Sequence, residues 1–278
     1  MSHSNISILG CGWYGLPLGH ELVNNGYHVR GSTTSETKIS QLHGAGIEPY
    51  KIELAPEVRC PSCEKFWQSD ILVLNIPPGR KQENAAELFM AKIQALIRYL
   101  KAVQHRINWI IFVSSTSVYT NRKGVMQEDD AEITSHLSDS GRALLEAEMA
   151  LESRGNWDTT VLRFGGLYGY DRHPVKYLAG RKKLSRGNAP VNLVHRDDCI
   201  NVTLEAIKQN ARNETYNVVS DGHPPRSTFY ISAAEHFGLE PPDFLEDESQ
   251  NYKIVSNRKM KEDLGYELLY PNPMDHTP

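Results

Sequence analysis

Short apolar runs alternate with segments of helical periodicity through the first half of the chain. Ile6-Ser7-Ile8-Leu9 reads as a buried strand. Leu16, Leu18, Leu22 and Val23 then recur at helical spacing as far as Asn24-Asn25-Gly26, a helix stop. Residues 28–31 predict a second strand, 35–42 a helix, and 47–54 contain a third strand. Residues 70–76 form an apolar fourth strand ended by Pro77-Pro78-Gly79. A long amphipathic helix follows over 83–103, then a fifth strand over 108–113. Strands alternating with helices in this way imply a parallel sheet covered on both faces.

The second half is less regular. Residues 142–151 predict a helix, 159–164 a sixth strand, 198–209 a helix and 215–219 a strand. Residues 165–190, rich in Gly, Tyr and basic side chains, read as an inserted loop-and-helix region. Residues 220–225 form a turn cluster, and the remainder holds two short helices. The expected fold is α/β: a Rossmann doubly wound parallel sheet with a small C-terminal substrate lobe. The core would span 1–164, continued by 196–219. The lobe would be built from 165–195 and 220–278.

A chain of 278 residues, 40% hydrophobic, suits one large α/β domain or a domain with a grafted lobe. A formal net charge of −4 and a pI near 6.3 give no electrostatic footprint for nucleic acid. Arg181-Lys182-Lys183 reads as a solvated helix end or a local anion contact. No apolar run has the length of a membrane span. The first residues lead straight into a strand without a charged-then-apolar leader, so a cytoplasmic location is expected. Cys60-Pro61-Ser62-Cys63 is a lone CxxC. With no second pair and no spaced histidines it is not a zinc site, and a surface turn holding two reduced thiols is expected. Cys11 and Cys199 lie in elements expected to be buried, and no metal is implied.

Gly10-Cys11-Gly12-Trp13-Tyr14-Gly15 fits G-x-G-x-x-G between a strand and a helix. Gly10 permits the tight turn, Gly12 lets the backbone approach a pyrophosphate, and Gly15 lets the helix pack closely on the sheet. The helix N-terminus faces the anion. Gly10, Gly12, Trp13, Tyr14, Gly15 and Pro77 are therefore expected around a dinucleotide. NAD binders place an acid at the end of the second strand to accept from the ribose 2′-OH. Here that place holds Arg30-Gly31-Ser32-Thr33-Thr34, and no acid precedes Glu36. Hydroxyls of Ser32, Thr33 and Thr34, with Arg30 or Lys38 nearby, suit a 2′-phosphate, so NADP(H) is expected over NAD(H). The alternative is that these residues only cap the next helix.

Val113-Ser114-Ser115-Thr116-Ser117-Val118-Tyr119 resembles the extended short-chain dehydrogenase/reductases, the NAD-dependent epimerase/dehydratase family. Leu162-Arg163-Phe164-Gly165-Gly166-Leu167-Tyr168-Gly169, Val194-His195-Arg196-Asp197-Asp198 and Tyr216-Asn217-Val218 match further segments in order. Gly12-Trp13-Tyr14-Gly15-Leu16-Pro17-Leu18 and Ser140-Gly141-Arg142 are similar to its atypical YeeZ-like branch. The resemblance implies a Ser, Tyr and Lys triad for hydride transfer. Ser115 matches the Ser. The Tyr position is Ser140, and the Lys position four residues on is Leu144. Losing a positioned general acid costs about 10²–10⁴ in rate. Tyr119, Tyr168, Arg142 and His173 are the candidates to stand in. Each has a structural alternative: packed tyrosines, an Arg142–Glu146 helix pair, a solvated His173. His195 is expected to line the substrate lobe or to be a buried, satisfied histidine. Asp198 is expected to cap the helix it opens.

Two functions remain open. One is an NADP-dependent oxidoreductase or epimerase on a small hydroxylated substrate such as a nucleotide sugar, with altered acid–base groups. The other is a non-catalytic dinucleotide-binding sensor or regulator. The basic stretch 172–186 suits a phosphate. The helices over 83–103 and 138–152 suit pairing in a homodimer.

Overall fold

Four consecutive buried side chains, Ile71 to Leu74, can be covered only from both faces, so this run sits at the middle of a sheet. The computed structural model describes residues 4–54, 56–79, 84–153, 155–246 and 252–275. The first half runs β1 (Asn5–Leu9), α1 (Gly15–Asn24), β2 (His28–Thr33), α2 (Ile39–Gly44), β3 (Glu48–Lys51), β4 (Ile71–Leu74), α3 (Ala85–Ala102) and β5 (Trp109–Ser115). Then come β6 (Gly124–Met126), α4 (Asp139–Ser153), β7 (Asp158–Phe164), β8 (Gly166–Tyr168), β9 (Leu193–His195) and α5 (Arg196–Lys208). β10 (Thr215–Val218), α6 (Arg226–His236), β11 (Lys253–Val255) and α7 (Arg258–Leu264) complete the chain.

The main sheet has seven strands in the order β10-β7-β5-β4-β1-β2-β3. β1 pairs in parallel with β2 and β4, β2 with β3, and β4 with β5. Ile6 stands opposite Val29 and Ile71, so the apolar runs are in register. The chain winds outward from β1 to β3, then returns past β1 to begin β4. That reversal opens a crevice beyond the C-terminal ends of β1 and β4, where α/β sheets hold ligands. The fold is the expected α/β Rossmann type.

The residues group into two compact units. The first comprises 1–114, 139–162 and 206–215; the second comprises 115–138, 163–205 and 216–278. In the first unit Ile6, Ile8, Leu18, Leu22, Phe66 and Trp67 are buried, and the Trp109 indole donates to Thr160 Oγ1 at 2.8 Å. Cys60 and Cys63, expected as free thiols, form a disulfide. The turn between them holds Ser62 at φ +55° and brings their Cα atoms to 5.6 Å, within bonding range. Cys11 and Cys199 are buried free thiols.

The second unit departs most from expectation. No α-helix forms over 165–190; that stretch contributes β8 and a short 3-10 turn, Pro174–Tyr177. Arg181-Lys182-Lys183 ends no helix, and Lys182 pairs with Glu240 at 2.6 Å. β8 pairs with β9, and β6 with β11, as three-residue parallel ribbons. Such strands are too short to carry a period. Asp198 lies inside the first turn of α5, which begins at Arg196, rather than at its cap, and its carboxylate serves another segment. Its buried carboxylate accepts from Tyr266 OH (2.9 Å), Leu269 N (2.7 Å) and Tyr270 N (3.1 Å). Among the described residues no helix is long and apolar enough to cross a membrane.

Tyr168, Val191, Leu193 and Phe229 form one core cluster of this unit. His173, 1% exposed, stacks on Phe229 with ring centroids 5.4 Å apart and lies 5.1 Å from Phe237. Its Nδ1 accepts from Val175 N–H at 3.3 Å. Burial, helped by the charges of Lys176 and His236, pushes its pKa down to about 4. The unfolded chain, with an imidazole near 6.5, therefore takes a proton that the native state refuses. Stability from this group is complete above about pH 6.5 and is lost as pH falls toward 4, on the order of 3 kcal/mol at most. Asp198 and Glu128, both raised by burial, act in the opposite sense. The expected observation is a difference between proteins. Chemical denaturation across pH 4–7 should show a steeper acid loss in the wild type than in His173→Asn, which keeps an acceptor for Val175 but does not titrate.

Candidate functional site

The first unit builds a loop in which each glycine has its own reason. Gly10 stands at φ +112°, and a Cβ there would lie 2.2 Å from the main-chain oxygen of Asn75. A Cβ on Gly15 would lie 2.3 Å from Gly10 O, so α1 rests directly on the turn. A Cβ on Gly12 would meet nothing within 4 Å. Among the described residues nothing packs against that position, so the backbone of residue 12 is open to approach. The loop is fixed from two sides. Gly10 N–H donates to Ser32 Oγ (2.9 Å), Cys11 N–H to Ser32 O (2.9 Å), and Asn75 Nδ2 to Gly10 O (2.8 Å). Asn75 was not singled out in the sequence. Its only signal there is a polar residue directly after an apolar strand. Pro17, which has no N–H to lose, occupies the first turn of α1. The Tyr14 side chain is buried and Trp13 is half-buried. Pro77 is exposed just beyond the end of β4.

The end of β2 divides its residues between loop and rim. Ser32 is buried, and its oxygen is occupied by Gly10 N–H. Thr33 Oγ1 accepts from Ser35 N–H at 3.1 Å in a local turn, while Ser35, which caps the Glu36–Lys38 turn, makes no side-chain capping bond. Arg30 is tied down, its Nε on Glu48 (3.2 Å) and its Nη1 on Ser69 Oγ (2.9 Å). Thr34 and Lys38 are exposed. Glu36 is held by Lys51 at 3.2 Å. The rim thus offers hydroxyls and one lysine, and its nearest acid is paired.

The α4 helix carries Ser140 and Leu144, the positions expected to replace the Tyr and Lys. Ser140, Leu144 and Glu148 fall on one face, one turn apart. Ser140 is half-buried, and Leu144 is buried at 3% exposure. Glu148 is also buried and accepts from Ser114 Oγ. Arg142 is half-buried on the same helix. A leucine packed in the core supplies neither a charge nor a ribose contact.

The second unit holds the other candidates. Ser115 caps the Thr116–Val118 turn, its Oγ accepting from Ser117 N–H at 3.2 Å. Tyr119 OH donates to Asn217 Oδ1 (2.7 Å) and accepts from Arg163 Nη1 (2.8 Å). Burial pushes the phenol up to about 12, against the opposing pull of Arg163. A phenol held by two partners and buried in this way is a poor proton donor near neutrality. His195 is buried against Tyr270 (centroids 3.8 Å), Tyr168 (5.2 Å) and Tyr170 (5.7 Å). Its Nδ1 accepts from Asp197 N–H at 3.2 Å. Tyr168 is fully buried in the same group, its hydroxyl pushed up by desolvation. His173 is not solvated but lies in the core, because Phe229 and Phe237 close over it. No group of three or more metal-ligating side chains occurs among the described residues.

Comparison with known proteins fits this geometry. The chain is 34% identical to protein YeeZ of Escherichia coli K12 over 272 residues, covering 97% of each. Among solved structures it is similar to a Methylobacillus flagellatus protein assigned to the NAD-dependent epimerase/dehydratases. That match has 25% identity, a TM-score of 0.75, and 99% and 96% of the two chains covered. It shares a fold with UDP-glucuronic acid 4-epimerase of Bacillus cereus, solved with NAD, at 19% identity and a TM-score of 0.78 over 98% and 93% of the chains. UDP-glucose 4-epimerase of Thermotoga maritima, solved with UDP-glucose, gives 19% and 0.74 over 97% and 96%. No family model matches the chain. Identity of this extent along nearly the whole length places the protein: the chain belongs to the YeeZ family, within the extended short-chain dehydrogenase/reductases.

Proposed function

We propose that the chain binds a nicotinamide dinucleotide on the Gly10–Gly15 loop, NADP(H) in preference to NAD(H). With it the chain would act as an oxidoreductase or epimerase on a small hydroxylated compound such as a nucleotide sugar. The observation that carries this reading is Gly12, whose missing side chain leaves space that no protein atom fills. The bound NAD and UDP-glucose of the structural neighbours support the choice of ligands. The preference for a 2′-phosphate rests on the rim: Thr34 and Lys38 are exposed, and Glu36 is neutralised by Lys51. The dinucleotide would supply or accept hydride. Ser115 would orient a substrate hydroxyl. Exposed Leu88 on α3 and Met149 on α4 would serve a homodimer contact.

A second reading is favoured by a specific observation. Leu144 is packed into the core, and the Tyr119 phenol is held by Arg163 and Asn217. A protein so arranged would hold the dinucleotide as a signal without turning it over. Wild-type protein incubated with NADPH and a panel of nucleotide sugars and simple carbonyl compounds separates the two. Net loss of nicotinamide absorbance supports an oxidoreductase, and a new epimer found by NMR without such loss supports an epimerase; binding with neither supports the sensor.

The glycines give a sharper test of binding itself. Gly12→Ala should unfold like the wild type, within roughly 0.5 kcal/mol, yet bind NADPH roughly tenfold more weakly or worse. Gly10→Ala should instead lose about 1–3 kcal/mol of stability, or more, from its positive φ and its contact with Asn75. Equal NADPH affinity in Gly12→Ala and wild type, by fluorescence titration, removes the proposed site. Lys38→Ala should weaken NADPH by about fivefold, on the order of 1 kcal/mol, and leave NADH unchanged.

A further inference from the structure

The Cys60-Pro61-Ser62-Cys63 turn lies between β3 and β4, in a segment anchored on both sides. Before it, Glu53 and Arg59 exchange main-chain hydrogen bonds of 3.0 and 2.8 Å. After it, Phe66 N–H donates to Cys63 O at 2.9 Å, and the Phe66 and Trp67 side chains are buried. Phe66 O accepts from Ser7 Oγ of β1 at 2.6 Å, which fixes the turn to the sheet. The Cys60–Cys63 bond closes a loop with a sequence separation of 3. So short a loop takes less entropy from the unfolded chain than a long one, and hydrogen bonds already hold both of its ends. The bond is therefore a weak brace.

The two cysteines differ in access. Cys63 is 2% exposed, whereas Cys60 is half-buried beside exposed Pro61 and Ser62. Cys60 Sγ lies 3.9 Å from Tyr99 OH of α3, and Trp67 Nε1–H donates to Cys63 Sγ at 3.0 Å. Exchange begins when a thiolate attacks one sulfur of a disulfide, and its rate depends on which sulfur can be reached. From solvent that sulfur is on Cys60. The sulfur that would leave, on Cys63, has an indole N–H already directed at it. That donor offsets part of the cost of a buried negative charge.

We propose that Cys60 and Cys63 form a reversible redox site for a small-molecule thiol, Cys60 being the sulfur attacked and Cys63 the leaving and resolving sulfur. The external thiolate bonds to Cys60 Sγ, the Cys60–Cys63 bond breaks, and its electron pair leaves on Cys63 Sγ, which is then protonated. A second thiolate attacks the external sulfur of this mixed disulfide and releases Cys60. The two cysteines gain two electrons and two protons, and two external thiols become one external disulfide. In reverse, an external disulfide joins Cys60, and the Cys63 thiolate attacks Cys60 Sγ and displaces the external thiol. The anchors at Arg59 and Phe66 keep the opened thiols within reach of one another, so closure is intramolecular.

The test uses the full-length protein and glutathione. Peptide mass spectrometry of protein purified without reductant should find Cys60 linked to Cys63. Reduced glutathione under native conditions should open the bond and oxidised glutathione re-form it, with the circular dichroism spectrum unchanged throughout. In the opened protein, iodoacetamide should label Cys60 at least roughly tenfold faster than Cys63. Buried Cys11 and Cys199 should label only after denaturation. Cys63→Ser should retain glutathione on Cys60 as a stable mixed disulfide, and Cys60→Ser should retain roughly tenfold less on Cys63. The labelling order in the wild type carries the same test where a variant fails to fold. A missing link between the two cysteines, a bond that opens only in denaturant, or equal labelling of Cys60 and Cys63 overturns the site. None of these readouts involves the glycine loop, so the dinucleotide reading stands or falls separately.

Discussion

The close approach of three backbone segments at Gly10 is the constraint on which the first unit depends. Asn75 O, beyond β4, leaves no room for a side chain on Gly10, and Gly10 O leaves none on Gly15. Those contacts tie the end of β1, the end of β4 and the start of α1 into one rigid corner. Ser32 at the end of β2 closes the corner with two further bonds. The sheet order follows the same logic. β4 must lie beside β1 for Asn75 to reach the turn, and that placement creates the crevice. The open backbone at Gly12 is thus a by-product of packing at its neighbours.

The sequence made this part legible because its signals are local. Buried parallel strands are continuous apolar runs, and a helix opening after G-x-G-x-x-G has a fixed spacing. β2 ran two residues further than expected because Ser32 and Thr33, polar in type, are buried by use rather than by hydrophobicity. The second unit was less legible for a physical reason. β6, β8, β9 and β11 are three residues long, and each exists only through a partner distant in sequence. His173 has polar neighbours in sequence and aromatic ones in space. Cys60 and Cys63 could not be judged without the backbone of the turn between them.

The α4 face shows what a leucine at position 144 does for the core. Leu144 contributes buried apolar surface where a lysine would need solvation or a partner. Polarity on that face survives only at its ends, in half-buried Ser140 and in Glu148, which is bonded to Ser114. Placing a lysine there would require more than a substitution. An ammonium at 144 would enter a packed interior among side chains shaped to a leucine.

Asp198 joins parts of the chain 68 to 72 residues apart. Until residues 266–270 arrive, its carboxylate has none of these donors, and the start of α5 is incomplete. The second unit therefore cannot be finished from nearby sequence alone. It closes through a long loop whose entropy is lost before the reward is gained, which slows folding. A chain emerging from synthesis would hold the corner at Gly10 early and this closure late. The interval between the two is when the protein is most exposed to proteases and to mispairing.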